Sequence, residues 1–163
     1  MTEKQILHEG YFLFDFMTEI LVLYYSRTGN TEKMARAVAE GAQINGKIRV
    51  ELNFHVEPDE ISGFDAIVVG APTYHHEMPI DFKKLFEEAA VKSISLKGKI
   101  GATFGSYGWS GEAPGLILEI MKNKFEMQVV EPPLLVKYIP DEKMLSACKD
   151  LGKRVSEKLL DRK

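Results

Sequence analysis

Short apolar runs alternate along this chain with longer segments in which apolar residues recur every three or four positions. The short runs predict β-strands at residues 20–25, 49–55, 66–70, 99–104 and 128–136, and the longer segments predict helices at residues 31–43, 80–90, 114–123 and 141–160. Strands that alternate with helices form a parallel sheet with helices on both faces. The pattern therefore predicts an α/β fold, a doubly wound sheet of five parallel strands.

The predicted strands differ in how deeply they should lie in the sheet. Residues 49–55 alternate polar and apolar side chains, which is typical of an edge strand, whereas residues 66–70 are apolar throughout. Pro132 and Pro133 interrupt the last strand. Such sheets bind ligands beyond the carboxyl ends of their strands, so the loops at residues 26–31, 72–77 and 105–112 should meet at one edge.

The first of these loops has the composition of a phosphate cradle. Apolar residues lead directly into SRTGNT, which opens a predicted helix and offers the hydroxyl and amide groups of Ser26, Thr28, Asn30 and Thr31 beside Gly29. The sequence contains neither the GxxxxGK[ST] motif of nucleotide-triphosphate loops nor the GxGxxG motif of dinucleotide folds. From the residues alone, an ordinary turn whose helix is capped by Asn30 or Thr31 remains an alternative.

The second and third loops carry aromatic residues. They read PTYHHE and GSYGWSGE, and they contain Tyr74, Tyr107 and Trp109. One interpretation is that these side chains cover the end of the sheet. The other is that they enclose a flat, conjugated ring whose phosphate lies in the first loop. The loop at residues 72–77 has no glycine, so reaching a positive φ there would strain Tyr74, although histidine tolerates it better.

Composition narrows the function. The 163-residue chain has the length of one domain, and its net charge of −3 argues against nucleic acid as a partner. No apolar run is long enough to cross a membrane.

The single cysteine, Cys148, leaves no internal disulfide and favours the cytoplasm. It lies at a C-x5-R spacing but also on the predicted buried face of the last helix, so we expect no catalytic thiol. Only two of the four histidines are adjacent, so we expect no metal site.

In these three loops the chain resembles the flavodoxin family. SRTGNT resembles the family's FMN-phosphate loop, and the PTY and GSYGWSGEA segments resemble its two ring-flanking loops; the resemblance covers residues 19–160. GSYGWSGEAP, with EPPLLVKYIPDEKML downstream, is similar to the flavodoxin domain at the C-terminus of flavodiiron proteins. The resemblance implies the strand order 2-1-3-4-5 and an FMN cofactor.

The resemblance also implies which residues bind FMN. The phosphate would be held by Ser26, Thr28, Gly29, Asn30 and Thr31, with Arg27 adding charge at the rim. One side of the ring would be flanked by Pro72, Thr73, Tyr74 and His75, and the other by Ser106, Tyr107, Gly108, Trp109 and Gly111. Many flavodoxins have a glycine in the loop after the third strand, where a peptide turns over to bond the half-reduced ring. The absence of this glycine here predicts weaker stabilisation of the half-reduced flavin ring than in ordinary flavodoxins.

Three functions fit these residues. The one we favour is an electron carrier that passes electrons between protein redox partners, which fits a freestanding flavodoxin domain. The second is an FMN-dependent NAD(P)H:quinone or flavin reductase, and the third is an interaction module without flavin. The intact loops argue against the third.

Residues 1–17 stand apart as an N-terminal extension to the FMN-binding domain at residues 18–163. The extension contains an apolar patch at residues 11–16 but no basic segment or small-residue cleavage site, which argues against a signal peptide. An exposed patch of this kind favours self-association or contact with a partner.

Overall fold

The computed structural model describes residues 18–43 and 46–162. The six strands are β1 (Thr18–Tyr24), β2 (Ile48–Asn53), β3 (Ala66–Gly70), β4 (Ile100–Tyr107), β5 (Gln128–Val129) and β6 (Leu134–Lys137). The helices are α1 (Asn30–Ala42), α2 (Pro58–Ile61), α3 (Ile80–Val91), α4 (Glu112–Glu119) and α5 (Glu142–Leu160), and α4 continues as a π-helical turn over Ile120–Lys124. The N-terminal extension and the prediction of self-association lie outside the described residues.

All strand pairings in the sheet are parallel, and the order is β2-β1-β3-β4-β5, with β6 also paired to β4. The predicted fold class and strand order are confirmed. Strand β2 lies at the edge and alternates in burial, as its sequence pattern indicated. At the centre Leu23 of β1 pairs with Val69 of β3, which pairs with Thr103 of β4, so the carboxyl ends of these three strands lie side by side.

The predicted single strand at residues 128–136 is wrong. Strand β5 pairs with Ile100 and Gly101, whereas β6 pairs with the four residues from Phe104 to Tyr107. Pro132 and Pro133 lie between the two strands and have no N–H to donate, so the ladder is interrupted there. The result is two short strands in line along the same edge of β4.

Several elements differ in their bounds from the pattern, and one helix is additional. Strand β4 runs three residues past the predicted end, to Tyr107, because β6 continues to pair with it. The predicted helix at 114–123 begins at Glu112 and ends in the π-helical turn. Helix α2 was not predicted, since four residues are too few to show a period, although Glu57 and Glu60 form a capping box at its start.

Helices α1 and α5 pack on one face of the sheet and approach to backbone contact. A Cβ added at Gly41 of α1 would lie 1.9 Å from the Lys149 carbonyl oxygen, and one added at Gly152 of α5 would lie 2.0 Å from the Val38 carbonyl oxygen. Cys148 is fully buried on the same face of α5, as predicted, and burial raises the pKa of its thiol to about 12. The helix that carries the first loop is therefore held tightly by α5.

Candidate functional site

A cleft of about 350 Å³ lies beyond the carboxyl ends of β1, β3 and β4. Its volume is in the range of sites for small ligands and cofactors. The three loops singled out in the sequence meet there. The cleft is lined by Ser26, Arg27, Thr28, Asn30, Thr31, Pro72, Thr73, Tyr74, Ser106, Tyr107, Gly108 and Tyr138.

One end of the cleft is built for an anion. Gly29 is the N-cap of α1 with a φ of 93°, and no side chain in the described part of the protein caps this helix. The Ser26 hydroxyl accepts a hydrogen bond from the Gly29 N–H group at 3.1 Å, which holds the loop in its turn. The N–H groups of Asn30 and Thr31 therefore remain open to a ligand. Gly29, and neither Asn30 nor Thr31, is the cap of this helix.

A buried hydrogen bond joins this anion end to the third loop. The Oγ1 atom of Thr31 lies 2.8 Å from the Oγ atom of Ser106, and both residues are buried. Ser106 lies on the part of β4 that β6 extends. The bond fixes the position of the first turn of α1 relative to the end of β4.

The other end of the cleft is aromatic. Tyr74 lies edge-on to Tyr25 beneath it, with ring centroids 6.0 Å apart, and the Arg27 guanidinium lies 5.1 Å from the Tyr74 ring centroid. Burial is the main cause of the raised pKa of Tyr74, so this phenol stays neutral at physiological pH. Tyr107 lines the cleft on the side of the third loop.

Tyr138 is a third tyrosine of the cleft that the sequence analysis missed. Its N–H group donates to the Tyr107 carbonyl oxygen at 2.7 Å, its φ is 64°, and a Cβ added at Gly108 would lie 3.5 Å from its ring. Gly108 and the Tyr138 ring are therefore neighbours in the lining of the cleft. The signal was available, because Tyr138 follows β6 at the same carboxyl edge as the three loops.

The loop after β3 forms a tight two-residue turn. Tyr74 and Glu77 exchange both backbone hydrogen bonds, at 3.0 and 2.9 Å, and the central residues His75 and His76 have φ values of 50° and 67°. This is the pattern of a type I′ turn, which requires a positive φ at both central positions. The two histidines, and not Tyr74, adopt the left-handed conformation, which histidine tolerates better than tyrosine does.

Four of the predicted site residues lie outside the lining of the cleft: Gly29, His75, Trp109 and Gly111. Gly29 sets the conformation of the first loop. Trp109 is 91% exposed and does not line the cleft. A Cβ added at Gly111 would lie 3.1 Å from the Tyr107 ring, so Gly111 packs closely against that ring.

Comparison with known proteins agrees with this geometry. Residues 22–152 match the family model described as Flavodoxin. The chain belongs to the flavodoxin family. Membership makes FMN its cofactor. The hydroxyl-rich anion end and the three tyrosines fit a phosphate and a flat ring, respectively.

Relatives of this flavodoxin-family chain include both small and large flavoproteins. It is 35% identical over 150 residues to the type A flavoprotein fprA of Rhodobacter capsulatus, covering 88% of this chain and 34% of that protein. It is 35% identical over 138 residues to the flavodoxin of Clostridium beijerinckii, covering 83% of this chain and 97% of that one. This chain thus spans about a third of the length of fprA.

The solved structure of a flavodoxin from the domain Archaea is similar in fold and sequence. The TM-score is 0.79 at 41% identity, over 88% of this chain and 99% of that chain. Among the helices of the described residues, none is long and apolar enough to cross a membrane. Within residues 18–43 and 46–162, no three His, Cys, Asp or Glu side chains converge in a way that could hold a metal ion.

Proposed function

We propose that this flavodoxin-family chain carries electrons between protein redox partners, with FMN bound in the cleft described above. The observation that carries this proposal is that a single cleft joins an anion end at the start of α1 to a ring end with three tyrosines. FMN has the matching layout, a phosphate tail attached to a flat ring. The flavin supplies the redox chemistry when it is bound, and the protein supplies binding, orientation and electrostatics.

The residues of the cleft divide between the two ends of the cofactor. We assign the phosphate to the hydroxyls of Ser26, Thr28 and Thr31 and to the Asn30 amide, together with the free N–H groups of the first turn of α1. Arg27 lines this end too, but its guanidinium lies against Tyr74, so we assign it to the rim between phosphate and ring.

The ring is assigned to the aromatic end. Pro72, Thr73 and Tyr74 would flank one side, and Ser106, Tyr107, Gly108 and Tyr138 would flank the other. Contact between Trp109 and the ring requires residues 108–111 to move inward when FMN binds, because the Trp109 side chain is 91% exposed. His75 and Gly111 would contact the cofactor through the same kind of movement.

Purified protein and added FMN test the assignment directly. Tyr138→Ala removes a ring that lines the cleft, whereas Ile139→Ala removes a neighbouring side chain that is 70% exposed and outside the lining. Loss of about 1–2 kcal/mol of aromatic contact weakens FMN binding roughly 5- to 30-fold in the first variant. The second variant should bind as the wild type does. Equal affinities of the two variants would contradict the assignment of Tyr138.

Anaerobic titration of the FMN-loaded protein with NADH and with NADPH, in separate cuvettes, tests the carrier role. A carrier that depends on a protein donor keeps its oxidised flavin spectrum in both cuvettes. Rapid bleaching by either nucleotide would favour an FMN-dependent quinone or flavin reductase instead. Failure of added FMN to bind would leave the interaction module without flavin.

Three finer points belong to this proposal. Residues 18–163 form the FMN-binding domain, and residues 1–17 form an extension through which the chain associates with itself or a partner. Light scattering of the full chain and of a variant with its aromatic residues at 11–16 replaced by serine tests that role.

A cytoplasmic location is proposed from the single buried cysteine, which is compatible with a reducing compartment.

A further inference from the structure

The turn after β3 is tied to the start of α4 by a hydrogen bond between two side chains. The Nδ1 atom of His76 lies 2.7 Å from the Oε1 atom of Glu112, and the Ser110 hydroxyl lies 3.3 Å from the same Nδ1 atom. His76 belongs to the loop assigned to one side of the ring, and Ser110 and Glu112 follow the loop assigned to the other side. We call the His76–Glu112 pair the clasp.

Glu112 is held as a carboxylate. It is the first residue of α4, where the helix dipole favours a negative charge. Hydrogen bonds from Ser110 and His76 lower the pKa of Glu112 to about 2. Its Oε2 atom is buried and has no hydrogen-bond partner among the described residues, so Oε1 is the oxygen that faces the turn. A carboxylate only accepts, so the Nδ1 atom of His76 carries the proton that the clasp uses.

A second bond joins the same two elements deeper in the protein. The Ala113 N–H group donates to the Thr73 hydroxyl at 2.9 Å. The loop after β3 is therefore attached to α4 at its base through Thr73 and at its tip through His76. Tyr74, the ring that lines the cleft, lies between these two attachments.

The turn depends on such support because its central residues are unfavourable. His75 and His76 both adopt a positive φ, which non-glycine residues adopt only where their surroundings hold them. In the described part of the chain, the His75 side chain has no hydrogen bond or ion pair of its own. The clasp is thus the side-chain contact that holds the tip of the turn.

We propose that the clasp fixes the Tyr74–Glu77 turn over the FMN site, so that His76 is a positioning residue that slows FMN release. The proposal rests on the proposed function, because it assigns the ring to the cleft beside Tyr74. A released tip lets Tyr74 move away from the ring, which opens the cleft to solvent. Binding then weakens through faster dissociation, as is usual when a contact at a preformed site is lost.

Two asparagine variants separate the clasp from the strain of the turn. Asparagine tolerates a positive φ at either central position, so His76→Asn and His75→Asn affect the backbone alike. Only His76→Asn removes the bond to Glu112. We expect FMN to dissociate roughly tenfold faster from His76→Asn than from the wild type, the size expected for one hydrogen bond to a charged group, and clearly faster from His76→Asn than from His75→Asn.

The partner residue provides a rescue test. The amide oxygen of Glu112→Gln still accepts from the Nδ1–H group, so this variant should release FMN slowly, whereas Glu112→Ala should match His76→Asn. The double variant His76→Asn/Glu112→Ala should be no faster than either single variant. Additive acceleration, or equally fast release from Glu112→Gln and Glu112→Ala, would overturn the clasp.

A measurement without FMN keeps the two proposals separate. The Tyr74 and Glu77 amides bond to each other's carbonyls, so their hydrogen exchange in the apo-protein reports on the turn itself. The clasp predicts faster exchange of both amides in His76→Asn than in His75→Asn. Equal exchange would overturn the clasp. If the wild type fails to bind FMN, the proposed function fails, and this exchange measurement still decides whether the clasp exists.

Discussion

The buried bond between Thr31 and Ser106 allows a quantitative test of how the anion end is attached to the sheet. Their hydroxyl oxygens are 2.8 Å apart, and the residues are 1% and 8% exposed. Thr31→Val keeps the shape of the side chain but leaves the Ser106 hydroxyl without its partner, and Ser106→Ala does the converse. A buried hydroxyl that loses its partner costs about 1–3 kcal/mol.

The double variant Thr31→Val/Ser106→Ala removes both hydroxyls at once. Replacing both partners by apolar groups is much less costly than orphaning one, so the double variant should be more stable than the sum of the two single effects predicts. A loss of about 2 kcal/mol with an m-value of about 2 kcal/mol/M moves the urea midpoint by about 1 M. Urea unfolding of the apo-protein, followed by circular dichroism, resolves a shift of this size.

Thr28→Val is the matched control. Thr28 lies in the same loop, but its side chain is exposed, so the same substitution should change stability by about 0.5 kcal/mol or less. Equal effects of Thr28→Val and Thr31→Val would refute the reasoning. So would strict additivity in the double variant, since it would mean that the two hydroxyls contribute independently.

Four further predictions concern other parts of the protein. Gly152→Ala should lower the unfolding free energy by about 1–3 kcal/mol, because the added Cβ would lie 2.0 Å from a backbone oxygen. Gly115→Ala should instead stabilise α4, because the space around Gly115 is open. Thermal denaturation of the two variants compares these effects. The pKa of Glu112 is lowered from 4.5 to about 2, so the wild type should lose stability relative to Glu112→Gln as the pH falls from about 4.5 to about 2. A difference in urea midpoints that does not depend on pH would contradict this. Cys148, with its thiol pKa raised to about 12, should resist iodoacetamide at pH 8 until urea unfolds the protein, as mass spectrometry would show. His75→Gly should raise the yield of blue half-reduced flavin in an anaerobic dithionite titration. In many flavodoxins a peptide of this loop turns over to bond the half-reduced ring, and turning over the 75–76 peptide here gives a type II′ turn, whose first central position favours glycine.

The elements with a strong local pattern were predictable from the sequence. Residues 66–70 are apolar without interruption and form the fully buried strand β3. The buried face of α5 follows a helical period that placed Cys148 correctly. The three loops were placed at one edge because parallel strands share a direction, a rule that needs only the order of the elements.

Contacts between distant residues were not predictable in the same way. His76 and Glu112 are 36 residues apart, and their distance depends on how far each loop extends beyond its strand. Tyr138 was missed because Pro132 and Pro133 were treated as a notch in one strand. They instead divide it in two, and β6 then places Tyr138 at the rim.

The close contact between α1 and α5 also has a consequence for biosynthesis. Helix α1 ends at residue 42, whereas α5 ends at residue 160, so the ribosome adds more than a hundred residues between them. At about 5–20 residues per second this takes on the order of 6–24 s. During that interval α1 can pack on the sheet strands but lacks its partner helix. The helix that carries the anion end of the cleft therefore gains its full support only after α5 has been synthesised.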